Sequence, residues 1–133
     1  MVKRVYLVDD SALICERLVD ILSGIPEVQV VGQSADAYEA LAMIRKMRPD
    51  VVILDIQMPG RSGIALLKDI KRSTPTIRVI VFTNYAYPQY QRQCMSLGAE
   101  YFLSKVSEFE RLSALLKSMC DPEPPRQGSN QEG

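Results

Sequence analysis

The fold of this chain is decided by the segment Val51-Val52-Ile53-Leu54-Asp55-Ile56-Gln57-Met58-Pro59-Gly60. Its first four residues are β-branched or aliphatic without polar alternation, which is typical of a central strand buried on both faces of a parallel sheet. The apolar run ends at one carboxylate, Asp55, at the edge where open α/β sheets bind ligands. Pro59-Gly60 predicts a turn just after it. Because an unpaired charge at the edge of a core is costly, Asp55 needs partners from elsewhere in the chain.

Apolar runs separated by helical patterns predict five strands and five helices. We expect the strands at residues 5–8, 28–31, 51–54, 77–82 and 101–103. Helix starts are predicted at Ser11, Asp36, Ser62-Gly63, Pro88 and a capping box over residues 107–110. Strands that alternate strictly with helices predict parallel βαβ units with right-handed crossovers. We therefore expect an α/β fold with a doubly wound five-stranded parallel sheet.

Length and composition predict one domain that does not bind nucleic acid or membrane directly. The chain has 133 residues, a length typical of one domain, and sixteen basic residues that cancel sixteen acidic ones. The apolar run near the amino terminus is too short for a signal peptide, and no run approaches the roughly 18 residues of a membrane span. We assign residues 1–120 to the domain. We expect the proline- and glycine-rich residues 121–133 to form a disordered tail.

The cysteine and histidine contents narrow the possible chemistry. Cys15, Cys94 and Cys120 are odd in number and have no C-x-x-C spacing, which favours a reducing cytoplasm over disulfides or a zinc site. The chain has no histidine. Any step that needs an imidazole must therefore take it from a partner protein.

Five polar residues follow or end predicted strands, and a strand order of 2-1-3-4-5 would bring them to one crevice. They are Asp9, Asp10, Asp55, Thr83 and Lys105. Three close carboxylates repel one another and favour a bound cation, and an all-oxygen set suits Mg²⁺. A lysine and a hydroxyl suit the oxygens of a phosphoryl group. In-line attack by Asp55 would then give an acyl phosphate.

These motifs resemble the receiver domain of two-component response regulators. The resemblance covers residues 3–119 and rests on Asp9-Asp10, Asp55 within Asp-Ile-Gln-Met-Pro-Gly, Thr83 after the fourth strand, and Gly98-Ala99-Glu100-Tyr101-Phe102-Leu103-Ser104-Lys105. It implies the flavodoxin-like receiver fold with strand order 2-1-3-4-5. It also implies a stand-alone phosphorylation switch that catalyses its own loading, rather than a conventional enzyme.

The resemblance implies roles for the residues of the crevice. Asp55 would take a phosphoryl group from a phosphohistidine of a histidine kinase or a histidine phosphotransfer protein. Asp10 and Asp55 would ligate Mg²⁺ directly together with the backbone carbonyl of Gln57, while Asp9 would act mostly through water. Lys105 would pair with Asp55 and then with the phosphoryl group.

The resemblance also implies a route for the signal. Thr83 and Phe102 would form the switch pair, and the altered surface would combine the fourth helix, the fifth strand and the fifth helix, including residues 87–90. A downstream protein or a second copy of the chain would dock there. Two positions depart from the family pattern. Val106 replaces the common proline after the lysine, so we expect a trans peptide bond there, and Asn84 is larger than the usual Ala or Gly.

Other interpretations stay open at this point. The chain could be the receiver part of a longer regulator whose effector domain is missing. It could be a small hydrolase that uses an aspartyl phosphate, although Gln57 cannot supply the acid that such enzymes have two residues after the nucleophile. It could bind flavin, although Asp9-Asp10 would repel the flavin phosphate. Taken singly, each polar residue also fits an ordinary structural role, such as capping of a turn, and only their convergence favours phosphoryl chemistry.

Overall fold

The computed structural model describes residues 2–58 and 62–120 and contains all ten predicted elements. The strands are β1 (Lys3–Val8), β2 (Val28–Ser34), β3 (Val51–Leu54), β4 (Arg78–Thr83) and β5 (Tyr101–Ser104). The helices are α1 (Ala12–Ser23), α2 (Ala37–Met47), α3 (Gly63–Ser73), α4 (Pro88–Ser96) and α5 (Phe109–Cys120). The turn predicted at residues 59–60 and the tail predicted at residues 121–133 lie outside the described residues. Within the described ranges, none of the helices has the length and apolar character needed to cross a bilayer.

The five strands form one parallel sheet with the order β2-β1-β3-β4-β5. This confirms the doubly wound α/β fold and its strand order. The direction in which the sheet grows reverses between β1 and β3, and such a reversal opens a crevice at the carboxyl ends of the two strands. Val8 of β1 pairs with Leu54 of β3, so the residues that follow these strands emerge side by side.

The central strand β3 separates two apolar layers. Val52 and Leu54 belong to the layer that includes residues of α2 and α3, whereas Val51 and Ile53 belong to the layer that includes residues of α1 and α5. Each of the four is at most 2% exposed, which confirms burial on both faces. Full burial of one such side chain contributes about 1.5–3 kcal/mol. The strand is therefore a firmly packed support for Asp55 at its end.

Side-chain caps stabilise the starts of three helices as predicted. Ser11, Asp36 and Ser62 each accept a hydrogen bond from the backbone N–H three residues later. Each cap satisfies an N–H that has no partner inside its helix, and its removal costs about 1 kcal/mol. Pro88 is the first residue of α4, where its missing N–H does no harm.

The start of α5 differs from the prediction. A capping box over residues 107–110 would make Ser107 the residue before the helix, whereas α5 begins at Phe109. Glu108 precedes the helix, and its backbone carbonyl accepts a hydrogen bond from the N–H of Leu112. Its carboxylate accepts a hydrogen bond at 2.8 Å from the N–H of Ser104, at the end of the edge strand β5. The predicted box was therefore wrong by one residue, since Glu108 rather than Ser107 directly precedes the helix.

Candidate functional site

The polar residues selected from the sequence meet at the carboxyl edge of the sheet. Asp9 and Asp10 follow β1, Asp55 follows β3, Thr83 ends β4, and Lys105 follows β5. These four strands are consecutive neighbours in the sheet. These residues therefore share one crevice, although Asp9 and Lys105 are 96 positions apart in the sequence.

Three carboxylates lie together in this crevice. One oxygen from each of Asp9, Asp10 and Asp55 lies within 4.8 Å of the other two. Asp9 is 5% exposed and Asp55 is 6% exposed, whereas Asp10 lies at the exposed rim. Like charges this close repel one another unless a cation lies among them. The donors are all carboxylate oxygens, so the set fits a hard ion such as Mg²⁺ better than zinc or copper.

Lys105 supplies a positive charge from the protein itself. Its Nζ lies 2.5 Å from Oδ2 of Asp9 and 3.0 Å from Oδ2 of Asp55, and the residue is 7% exposed. Burial alone lowers the pKa of Lys105, but the hydrogen bond to Asp9 and the charge of Asp55 outweigh burial and raise it above its ordinary value. Burial also raises the pKa of Asp9, since the hydrogen bond from Lys105 offsets burial only in part. Lys105 therefore stays charged between the two carboxylates.

Backbone donors orient both buried carboxylates. Oδ1 of Asp55 accepts a hydrogen bond from the N–H of Gln57 at 3.2 Å, and Oδ1 of Asp9 accepts one from the N–H of Ser11 at 2.9 Å. In each residue the second oxygen, Oδ2, contacts Lys105. Both carboxylates are therefore held in fixed orientations, a geometry that needs little rearrangement to bind a ligand.

Thr83 and Phe102 lie on the two strands farthest from β1. Thr83 is fully buried, and its Oγ1 accepts a hydrogen bond from the N–H of Tyr85 at 3.0 Å. Because that bond uses only a lone pair, the hydroxyl proton can still be donated. Phe102 pairs with Val81 and is partly buried against the layer that includes residues of α2 and α3. Asn84, the unusually large residue after Thr83, is exposed and does not enter the core.

The segment after β5 carries Lys105 into the crevice. The N–H of Lys105 donates to the carbonyl of Thr83 at 2.9 Å and continues the pairing of β5 with β4. The peptide bond between Lys105 and Val106 is trans, as we expected. Val106 is 81% exposed, so its departure from the family pattern lies outside the packed part of the site.

Two residues near the site were not among the predicted site residues. At Gly63, an added Cβ would lie 2.1 Å from the carbonyl oxygen of Asp55 and 2.6 Å from Cα of Ile56. Only glycine allows the start of α3 to approach the strand end this closely. The available signal was a glycine placed directly after a capping serine. The second residue is Glu108, whose bond to Ser104 depends on the path of the loop and has no local sequence signal.

Comparison with known proteins identifies the family to which the chain belongs. Residues 5–117 match the family model described as the response regulator receiver domain. The chain is similar to the DNA-binding transcriptional activator DevR/DosR of Mycobacterium tuberculosis, with 34% identity over 116 residues that cover 87% of this chain and 54% of that protein. The chain spans between about a third and somewhat over half of the length of curated relatives that it matches, with coverages of 54%, 29% and 57%.

Solved structures support the same assignment. The response regulator domain of Thermotoga maritima CheB is similar with a TM-score of 0.81 and 32% identity, and the match covers 92% of this chain and all of that one (100%). A chain of the CheX–CheY–BeF3–Mg complex from Borrelia burgdorferi is similar with a TM-score of 0.78 and 28% identity, over 88% of this chain and 87% of that one. The family model and these structures show that the chain belongs to the response regulator receiver domain family of two-component signalling.

Proposed function

We propose that this receiver domain accepts a phosphoryl group on Asp55 from a phosphohistidine of a histidine kinase or a histidine phosphotransfer protein. The observation that carries the proposal is the Lys105 ammonium, which lies between the carboxylates of Asp9 and Asp55 at a buried edge. Asp55 offers a nucleophilic oxygen, and the lysine offers a charge that matches phosphoryl oxygens. The chain has no histidine, so the donor comes from another molecule. The family match favours this function over the hydrolase and flavin alternatives.

In the proposed reaction, an oxygen of Asp55 attacks phosphorus in line with the phosphorus–nitrogen bond of the phosphohistidine. The new oxygen–phosphorus bond forms as the bond to nitrogen breaks. The electron pair of that bond returns to the imidazole of the partner, which takes a proton from water. Lys105 turns from the carboxylates to the transferred oxygens, and the Thr83 hydroxyl donates to another of them. Catalysis then comes from positioning and from charge stabilisation.

We propose Mg²⁺ as the cofactor. Asp10 and Asp55 would hold the ion directly with the backbone carbonyl of Gln57, and Asp9 would act through water. The indirect role of Asp9 is supported by its shorter contacts. Its Oδ1 accepts a backbone N–H at 2.9 Å and its Oδ2 lies 2.5 Å from Lys105, whereas the matching distances at Asp55 are 3.2 Å and 3.0 Å. When bound, the ion neutralises charge on the phosphoryl oxygens.

The signal would leave the site through Thr83 and Phe102. Movement of the Thr83 hydroxyl toward the phosphoryl group would free space for the partly buried ring of Phe102. The surface of α4, β5 and α5 would then change, and a downstream protein or a second copy of this chain would dock there. The rings of Tyr87 and Tyr90, whose centroids are 6.0 Å apart, contribute aromatic area to this surface at the start of α4.

We propose that the domain covers residues 1–120 and that it works in the cytoplasm. Cys15 and Cys94 are buried free thiols, which supports a reducing compartment. The loading and loss of the phosphoryl group would be catalysed by the domain on itself, so it is not an enzyme for other substrates. Because the matched relatives are longer, the domain also fits the role of receiver in a longer regulator.

Intact-mass measurement after incubation with acetyl phosphate tests this proposal. We expect the mass of one phosphoryl group to be added when Mg²⁺ is present and none to be added with a chelator. The Asp55→Asn variant should remain unmodified. Normal labelling of that variant, or labelling that a chelator does not reduce, would contradict the proposal.

A further inference from the structure

We propose that Glu108 is a positioning residue for Lys105, because it holds the end of β5 from which the lysine reaches into the phosphoryl site. This inference rests on the proposed function, in which Lys105 acts on the transferred phosphoryl group. Glu108 itself lies outside the crevice. Within the described part of the chain, its carboxylate bonds to Ser104 and Arg111 and not to Asp9 or Asp55.

The position of the lysine ammonium depends on the backbone that carries it. The side chain of lysine is long and has many rotamers, so a small shift of its Cα moves Nζ away from its partners. On the inner side, the backbone is held by the bond from the Lys105 N–H to the Thr83 carbonyl. The outer side needs a support of its own, because β5 is the edge strand of the sheet and no other strand of residues 2–58 and 62–120 pairs with that side.

Glu108 provides this outer support. The N–H of Lys105 points to β4, so the N–H of Ser104, one residue earlier, points away from it. An edge N–H of this kind has no strand partner. Oε1 of Glu108 accepts its hydrogen bond at 2.8 Å. In return, the N–H of Glu108 donates to the carbonyl of Ser104 at 3.0 Å, and the two reciprocal bonds close the turn that contains Lys105.

Both ends of this support are themselves held. Oε2 of Glu108 accepts a hydrogen bond from Nη1 of Arg111 at 3.0 Å, which fixes the direction of the carboxylate. The neighbouring Phe109, at the start of α5, packs edge-on against Phe82 of β4 with ring centroids 4.8 Å apart. Glu108 thus connects an anchored helix start to the end of the edge strand. The Arg111 side chain is 70% exposed and that of Glu108 is 25% exposed, so the pair adds little stability alone and its effect is on orientation.

The bond between Glu108 and Ser104 could also serve only to close a turn. In that case, loss of the bond would lower the free energy of unfolding. Any slowing of phosphorylation would then be the same in the presence and in the absence of Lys105. A positioning role instead requires that the two residues be coupled, since Glu108 then acts through the lysine alone. This difference defines the measurement.

The first test compares the rate constants of phosphorylation by acetyl phosphate at saturating Mg²⁺. We expect Glu108→Ala to react about two- to tenfold more slowly, the effect of losing one net hydrogen bond. Glu108→Gln keeps a side-chain oxygen for the Ser104 N–H and should react like wild type. Glu110→Ala is the matched control, because it removes an exposed carboxylate two residues away, in the first turn of α5. Its rate should be unchanged.

The second test places Glu108→Ala in a Lys105→Ala background. We expect no further slowing there, because the residue that Glu108 positions is gone. An equal slowing in both backgrounds, or a normal rate for Glu108→Ala in otherwise wild-type protein, would overturn the inference. If Glu108→Ala does not fold, Glu108→Asp replaces it. The aspartate side chain is one methylene too short to reach the Ser104 N–H, so this variant should also react more slowly. A wild-type rate for Glu108→Asp would overturn the inference. Failure of the wild-type protein to take up phosphoryl would instead overturn the proposed function itself.

Discussion

The Nζ of Lys105 lies 2.5 Å from Oδ2 of Asp9, which is closer than its 3.0 Å distance from Oδ2 of Asp55. The lysine is thus the counter-ion of two buried carboxylates, and Asp9 competes with the proposed acceptor for it. A group shared in this way can exchange partners as charge appears on a phosphoryl group, without leaving the crevice. The same group also contributes to the stability of the folded domain.

Replacing Lys105 by alanine should destabilise the domain by about 3 kcal/mol, because two buried carboxylates then lack a counter-ion. Added Mg²⁺ should recover part of this loss, since it binds the folded state and supplies positive charge. Urea unfolding with and without Mg²⁺ measures both effects. The control Lys117→Ala removes an exposed lysine of α5 and should change the free energy of unfolding by less than about 0.5 kcal/mol. Equal small losses at both positions would show that Lys105 is not a counter-ion.

Gly63→Ala should destabilise the domain by about 1–3 kcal/mol and should weaken phosphorylation of Asp55. The new methyl group would lie 2.1 Å from the carbonyl oxygen of Asp55, so either α3 or the end of β3 must move. At Gly24, the nearest atom to an added Cβ is a carbonyl oxygen at 3.5 Å. Gly24→Ala should therefore be tolerated. Thermal unfolding and the labelling rate are measured for both variants, and equal behaviour would mean that the close approach at Gly63 has no consequence.

Tyr85→Ala should speed dephosphorylation several-fold. By the resemblance to other receivers, the residues two positions after the acceptor and two after the switch threonine flank the hydrolytic water, and here they are Gln57 and Tyr85. Tyr85 is 40% exposed, and its ring packs edge-on toward Tyr87 with centroids 6.4 Å apart. We expect this bulk to obstruct water more than Gln57 assists it. Decay of the phosphorylated protein gives the rate, with Tyr87→Ala as the control; an unchanged or slower decay for Tyr85→Ala would exclude shielding.

Beryllofluoride with Mg²⁺, a stable mimic of the phosphoryl group, should shift amide resonances of Phe102 and of α4 as well as those of the loops around Asp55. The expected coupling between the two sites is about 1–3 kcal/mol. In Thr83→Ala the loop resonances should still shift while the remote ones stay in place, because the hydroxyl that transmits the change is missing. Shifts confined to the loops in the wild-type protein would mean that the domain binds the mimic without switching through Phe102.

The fold was largely predictable because its signals are local. Apolar runs marked the strands, and the N-caps Ser11, Asp36 and Ser62 marked helix starts, since each depends on neighbours within three residues. The grouping of carboxylates followed from the strand order, which places strand ends at one edge. Local spacing was sufficient for the strands and helix starts, whereas the strand order was implied by the resemblance to receiver domains.

Contacts between distant segments were harder to predict. The predicted start of α5 was wrong by one residue, and the bond from Ser104 to the Glu108 carboxylate, which precedes the helix, had no local sequence signal. The resemblance implied that Lys105 pairs with Asp55, and the shorter contact to Asp9 is seen only in the folded crevice. Spacing along the chain does not decide between two carboxylates that the fold brings to the same place.

The most direct test of the account is the location of the phosphoryl group. Protein treated with acetyl phosphate and Mg²⁺ is reduced with borohydride, which converts an aspartyl phosphate to homoserine, and the peptides are then sequenced by mass spectrometry. We predict homoserine at position 55 alone, with Asp9 and Asp10 unchanged, and no homoserine when Mg²⁺ is chelated. Homoserine at position 9 or 10, or its absence from position 55 in protein that carries a phosphoryl group, would contradict the assignment of Asp55 as the acceptor.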